Sequence, residues 1–336
     1  MPFINDILHY SSVSVVGLEK NTGKTECLNY VLKRVKDTGK RVAVTSIGVD
    51  GEEVDRLHNN TKPEITLYDN MLFVTSEKHY REKKLTAEII DISTRKTALG
   101  RLITAQAKNS GKTLLSGPPD TLWLKQILLS MKERQVDLTL IDGALSRLSL
   151  ASPAITDAMI LTTGASLSEN LANLLKNTLF ACEMIDLEEV NPTLKQKLEH
   201  IEKGIWAIDQ EGEIHDLNIL SVFGIGERIA EIFKYGNTVF VSGAISDILL
   251  NSLRIQPQSK GMTLIIRDFS KAFLSEDSYT AFVNKGGVIN VLQKTKLIAV
   301  CVNPVAPSGR RFDSNELQHE LGKMLEVPVF DVKNVK

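Results

Sequence analysis

At 336 residues the chain exceeds one average domain, and an apolar fraction of 43% supplies material for about two cores. With 40 basic and 41 acidic residues the net charge is −1, which excludes the electrostatic footprint of a nucleic-acid binder or of a protein held on anionic membranes. Cys27, Cys182 and Cys301 are too scattered for a disulfide framework or an iron–sulfur centre, the histidines show no metal-ligand spacing, and no run approaches the roughly 18 apolar residues of a membrane span.

In chain order, Met1–Ser12 lacks a basic leader, so a cytoplasmic protein is expected, with neither nucleic acid nor membrane as partner. Ser12 to Val16 is β-branched and apolar, a predicted strand. It breaks into Gly17-Leu18-Glu19-Lys20-Asn21-Thr22-Gly23-Lys24-Thr25, after which Cys27, Leu28, Tyr30, Val31 and Val35 recur at helical spacing until Gly39. Strand, glycine-bracketed turn and helix N-terminus together predict a phosphate-binding loop. Its backbone N–H groups form an anion nest, Lys24 reaches the β/γ-phosphates, and the Thr25 hydroxyl is offered to Mg²⁺. Five residues separate Gly17 from Gly23, one more than the usual four.

Arg41 to Gly48 predicts a second parallel strand, delivering the acidic loop Val49 to Arg56 at the edge where open α/β sheets bind ligands. Asp50, Glu52 and Asp55 are candidates for holding Mg²⁺ through water or positioning an acceptor; a solvated charged loop is the alternative. Lys62-Pro63-Glu64 reads as a turn, Met71 to Thr75 as a short strand, and Lys78 to Lys84 as a solvated connector without chemistry. Lys108-Asn109-Ser110-Gly111-Lys112-Thr113 nearly repeats the first loop, but Gly117-Pro118-Pro119 forbids a following helix, so a hairpin from Leu102–Ala107 into Thr113–Ser116 is expected instead.

Asp120 is a predicted N-cap of an amphipathic helix, and Val136 to Gly143 a buried strand ending in Asp142. A carboxylate there orders Mg²⁺ or its water in nucleotide-binding folds, although a plain turn residue before Gly143 has the same sequence. Arg147 reaches toward phosphate or lies on the surface. Asp157 to Thr163 predicts a strand and Leu171 to Leu179 a helix. The charged stretch from Glu188 to Lys203, broken by Asn191-Pro192, places the domain boundary so that residues 1–187 form the nucleotide-binding domain and 188–336 a second α/β domain able to bind a partner.

The second half again alternates: Val239–Gly243, Ile245–Leu253, Thr263–Ile266, Gly287–Leu292, the strand Leu297–Val302, the helix Asn315–Leu325 and the strand Val327–Val332. Gly224 and Gly226 mark a helix start. Asn303, before Pro304, stands at a strand tip from which an amide reads a purine or holds a loop. Neither Asn-Lys-x-Asp nor Thr-Lys-x-Asp occurs, which favours adenine over guanine, and hydrolase motifs of the Gly-x-Ser-x-Gly and His-Glu-x-x-His kinds are absent. The expected fold is α/β, a P-loop NTPase-type parallel sheet followed by a second α/β domain.

The loop Gly17–Thr25 resembles that of dethiobiotin synthetase, and Lys20-Asn21-x-Gly-Lys-Thr resembles the nucleotide loop of the molybdopterin-guanine dinucleotide accessory protein. A longer resemblance runs through Thr45-Ser46-Ile47-Gly48-x-Asp50-Gly51-Glu52, Lys62-Pro63, Leu99-Gly100-Arg101, Ile141-Asp142-Gly143-Ala144, Ala151-Ser152-Pro153, Thr163-Gly164-Ala165, Gly243-Ala244 and Val302-Asn303-Pro304. These are similar to the ATPase component of the lysine 5,6-aminomutase reactivase. The resemblance implies a P-loop ATPase that uses ATP and Mg²⁺, with a second reactivase component, to restore an adenosylcobalamin-dependent aminomutase blocked by damaged cofactor. It further implies that Lys24 neutralises β/γ charge, that Thr25 and Asp142 hold Mg²⁺, and that Asp50 or Glu52 senses the γ-phosphate. The chain has no Asp-x-His-x-x-Gly signature, so cobalamin is expected to stay with the partner. A small-molecule ATP-dependent ligase or kinase and a nucleotide-binding regulatory module are the competing classes.

Overall fold

The computed structural model describes residues 3–47, 64–144, 152–222 and 225–334. In chain order the elements are α1 (Ile4–Ile7), β1 (Ser12–Gly17), α2 (Lys24–Val35), β2 (Val42–Ser46), β3 (Ile65–Leu67), β4 (Leu72–Ser76), α3 (Glu77–Glu82), β5 (Ala87–Thr97), β6 (Gly100–Ala107) and β7 (Gly111–Thr113). Then come α4 (Thr121–Glu133), β8 (Leu138–Ala144), β9 (Ala158–Gly164), α5 (Leu171–Ile185), α6 (Pro192–Leu198), β10 (Ile205–Ile208), β11 (Ile214–Ile219), β12 (Thr238–Val241), β13 (Ile245–Ser246) and α7 (Asp247–Ile255). The chain ends with β14 (Thr263–Ile266), β15 (Ala272–Phe273), α8 (Glu276–Asn284), β16 (Val288–Val291), β17 (Lys296–Asn303), α9 (Ser314–Met324) and β18 (Val329–Phe330).

The chain is α/β and divides into two units. The first comprises Met1–Ala151, Ile155–Leu179 and Lys296–Lys336; the second comprises Ser152–Ala154 and Phe180–Thr295. The expected division into 1–187 and 188–336 is corrected at both ends. It fails at the C-terminus because β17 adds parallel to β9, from Lys296 beside Ala158 to Asn303 beside Gly164, and so returns to the first sheet.

In the first unit nine strands run in the order β18-β17-β9-β1-β8-β2-β4-β6-β5. The seven from β18 to β4 are parallel, while β6 and β5 are antiparallel to their neighbours, so the sheet is mixed where an all-parallel one is expected. β1 lies at the centre with all six residues buried, as its continuous apolar run requires of a strand covered on both faces. Cys27, Leu28, Val31, Leu32 and Val35 of α2 pack on one face against Val13, Val15, Val44 and Leu140. Leu124 of α4 packs on Ile47 and Ile141, and Leu317 and Leu321 of α9 pack with Leu174 on Val302.

Two local expectations change. The segment after Lys108 lacks a helix, as Gly117-Pro118-Pro119 dictates, but β7 pairs antiparallel with β3 and not with β6. The connector Lys78–Lys84 contains α3, whose His79 is buried beneath the charged surface.

In the second unit five strands follow the order β11-β10-β12-β14-β16, with β12, β14 and β16 parallel and β10 and β11 antiparallel. α7 and α8 supply the crossovers between the parallel strands, and Leu249, Leu250, Leu253 and Phe282 form the core with Val239, Leu264 and Ile289. Pro192, read as a breaker, instead opens α6, where its missing N–H costs nothing and Asn191 caps the Leu194 amide at 2.9 Å.

Candidate functional site

The site grows from the carboxyl end of β1. Gly17 is closed in so tightly that a Cβ there would lie 2.4 Å from Thr22 Oγ1, 2.9 Å from Lys24 Cγ and 2.9 Å from Thr162 Oγ1. The chain then turns through two left-handed residues, Asn21 at φ 62° and Gly23 at φ 93°. Asparagine and glycine are the residues that reach this region at least cost, which is why Asn-x-Gly precedes Lys24. α2 begins at Lys24, and its first bond inside the helix is Cys27 N–H to Gly23 O at 2.9 Å.

No side chain caps α2, in contrast to α4, whose Asp120 accepts the Trp123 amide at 2.7 Å, and α9, capped by Asp313. Among the described residues the backbone N–H groups of Asn21, Thr22, Gly23 and Thr25 and the Thr25 hydroxyl take no hydrogen-bond partner. The partial positive charge of the helix N-terminus adds to theirs. This donor set fits an anion such as a phosphate group.

Four contacts hold the loop. Leu18 N–H donates to Thr162 O at 2.9 Å, and the Thr22 hydroxyl lies 2.9 Å from Thr162 Oγ1 and donates to Glu19 O at 2.9 Å. On the β17 side the Asn303 amide donates to Asn21 O at 2.8 Å, while its oxygen accepts from Val305 N–H at 3.3 Å. Asn303 thus takes the loop-holding role of its two expected ones. Lys24 and Thr25 are half-buried; Lys20 and Asn21 are exposed, with the Lys20 amide turned onto its neighbour Glu19 at 2.8 Å.

β8 lies between β1 and β2, which sets Asp142, two residues before the end of β8, beside Val15 on one side and Ser46, the last residue of β2, on the other. Asp142 is half-buried, and its carbonyl accepts Ile47 N–H at 3.2 Å. The topology therefore gathers Gly17, Thr22, Gly23, Lys24, Thr25, Asp142 and Asn303 at one edge of the sheet. Asp50, Glu52 and Asp55, expected beside them, lie outside the described residues, as does Arg147. Lys112, from the near-repeat, is exposed on β7 with no helix after it.

Thr162 is a residue holding the turn that pattern reading misses. The available signal is a hydroxyl at the carboxyl end of a core strand, in Thr162-Thr163-Gly164. Beneath the loop, Cys27 and Cys301 place their sulfurs 3.5 Å apart, both buried. The hydrogen bond with Cys27 and burial together push the Cys301 thiol well above its ordinary range, so Cys301 is held as a packed thiol and not as a thiolate nucleophile.

Among the described residues no group of three or more His, Cys, Asp or Glu is arranged to hold a metal, and no helix is long and apolar enough to cross a membrane. Compared with family models, curated proteins and solved structures, the chain finds no match in any of the three.

Proposed function

We propose that the chain is the ATPase subunit of a reactivating chaperone for an adenosylcobalamin-dependent aminomutase such as lysine 5,6-aminomutase, working with a second reactivase component. The observation that carries the nucleotide part is the uncapped turn from Gly17 to Thr25, with four backbone donors that take no partner among the described residues, between a buried central strand and a helix N-terminus. The target and the partner follow from the resemblance of the motifs named above.

In this reading the N–H groups of Asn21, Thr22, Gly23 and Thr25 bind phosphate oxygens, and Lys24 neutralises β/γ charge. Thr25 and Asp142 hold Mg²⁺, and Asp50 or Glu52 senses the terminal phosphate. Bound Mg²⁺ supplies electrostatic stabilisation of the charge that builds on phosphoryl oxygens. Gly17 and Gly23 keep the turn tight, and Asn303 and Thr162 fix its two flanks so that the donors need no reorganisation. Nucleotide binding and hydrolysis would then shift the chain between a state that holds the inactivated mutase and one that releases it.

The test is ATP turnover by the purified chain alone, with the second component, and with cyanocobalamin-inactivated mutase added. The expected result is turnover stimulated by the mutase together with recovery of mutase activity. ATP turnover driven instead by a small carboxylate or amine acceptor would establish the ligase or kinase class. Absence of nucleotide binding would remove both readings.

A further inference from the structure

In the second unit α7 and α8 each connect two parallel strands, so they run parallel to one another, and they pack side by side on the sheet. At their N-terminal ends Asp247 accepts Ser275 N–H at 2.8 Å, and one turn further along α7 Asn251 Nδ2 donates to Ser278 Oγ at 3.3 Å. At their C-terminal ends Lys285 Nζ donates to Arg254 O at 2.5 Å and to Gln256 O at 2.9 Å. β13 pairs with β15, which sets Phe273 beside Ser246, the residue before α7. These contacts join α7, α8 and Phe273 into one surface.

Leu249, Leu250 and Leu253 of α7 enter the core, and a helix with such a face ordinarily turns polar residues outward. Here the outward positions include Ile248 and Ile255, 78% and 76% exposed. They stand two helical turns apart on one stripe, about 10 Å from end to end. Phe273 is 61% exposed and Val283 of α8 40%. Single apolar side chains at a surface need no partner, whereas four on adjoining elements make a patch. The charges around the patch are sorted by end. Asp247, Glu276 and Asp277 lie in the first turns, and Arg254 and Lys285 at the opposite ends, as the dipoles of the two helices favour. Asp277 and Arg254 are exposed and take no ion pair among the described residues.

We infer that this face binds a second copy of the chain, the two α7–α8 layers packing antiparallel about a two-fold axis. A two-fold interface uses the same patch twice, so the patch must complement itself. Turned end for end, a copy brings its Ile255 against Ile248 and its Ile248 against Ile255, with Ser252 near the centre small enough for the helices to approach. The same rotation lays the basic end, with Arg254, over the acidic end, with Asp277, once on each side of the axis. A parallel arrangement would set like charges together, and charge sorting of this kind selects orientation at an interface. The patch thus supplies its own complement in both shape and charge, which a surface built for an unrelated partner has no reason to do.

The experiment is sedimentation velocity of the full chain over a concentration series, with circular dichroism melting to confirm that each variant folds as the parent does. The parent is expected to dimerise. Ile248→Glu, which lies outside the core and enters the interface twice, should raise the dimer dissociation constant at least about tenfold without changing the melting curve. Arg254→Glu and Asp277→Arg should each weaken the dimer, and the two together should recover it, since the swap restores opposite charges across the axis. A parent that stays monomeric throughout, or a dimer that Ile248→Glu leaves as tight as before, overturns the inference. Loss in both charge variants with no recovery in the pair overturns the antiparallel arrangement. A monomeric parent whose stimulation by mutase is lost in Ile248→Glu assigns the face to that partner and overturns the second copy. None of these outcomes depends on nucleotide binding.

Discussion

A Cβ on Gly17 would stand 2.4 Å from the Thr22 hydroxyl, closer than any real side chain sits, so Gly17→Ala must open the turn. We expect it to weaken ATP binding at least tenfold, or about 1.4 kcal/mol, by calorimetry; unchanged affinity would mean the turn is not the nucleotide site. Lys24→Ala should abolish binding while Lys112→Ala leaves it nearly unchanged, since only Lys24 follows a core strand and opens a helix; equal losses would contradict this assignment. Asp142→Asn keeps shape and removes charge. It should bind ATP within about tenfold of the parent yet lose most turnover, because a cation-holding carboxylate acts chiefly where charge moves in the transition state. If Asp142→Asn hydrolyses ATP normally with its partner present, the carboxylate is only a turn residue. At this scale Gly23, Lys24 and Thr25 were legible because adjacent residues carry the pattern. Thr162 was not, since the Thr22 hydroxyl meets it across 140 positions and no short-range periodicity marks such a pair.

Strands and helices with a strong period were legible as elements. β1, α2, β8 and α4 lie where apolar spacing and the Asp120 cap put them, whereas β5 was hidden. It is an 11-residue edge strand whose register slips against β6 in two places, so it never shows clean alternation. The β5–β6 hairpin is fastened to α3 by Glu77, which accepts Arg101 N–H at 3.0 Å and the guanidinium at 3.0 and 2.9 Å. The Arg101 backbone N–H, then its side chain, holds the Glu77 carboxyl below its usual range. A depressed carboxylate contributes stability that is present above the unfolded-state value of about 4.3 and is lost as pH falls through the folded one. Thermal unfolding of the parent and Glu77→Gln followed from pH 7 to pH 3 should therefore show the parent's advantage shrinking below about pH 4.3. A constant difference would mean the carboxylate's charge is irrelevant to the hairpin. Deeper in the core, Leu28→Ala should cost about 2–5 kcal/mol in denaturant unfolding, as Leu28 is fully buried between α2 and the sheet.

On the scale of the molecule the sequence announced two α/β portions but misplaced the last 41 residues. Composition shifts mark where a chain turns charged, not which sheet a late strand joins, and the pairing of β17 with β9 is a contact between distant segments. A fragment ending at residue 187 lacks β17, β18 and α9, leaves the long edge of β9 unpaired and strips Val302, Leu317 and Leu321 from Leu174. We expect it to be insoluble or to unfold without cooperativity, judged by circular dichroism melting, while the full chain melts sharply; a soluble, cooperative fragment would show that the C-terminal segment is dispensable. The same topology fixes an order during synthesis. β9 emerges from the ribosome roughly 130 residues before its partner β17, so at about 5–20 residues per second its edge waits roughly 7–26 s, long enough for the intervening unit to finish first. Asn303, which clasps the carbonyl of Asn21, arrives 282 positions after it. The turn from Gly17 to Thr25 therefore gains its second flank only after β17 has been made, and a chain stopped before Asn303 carries the turn without the clasp.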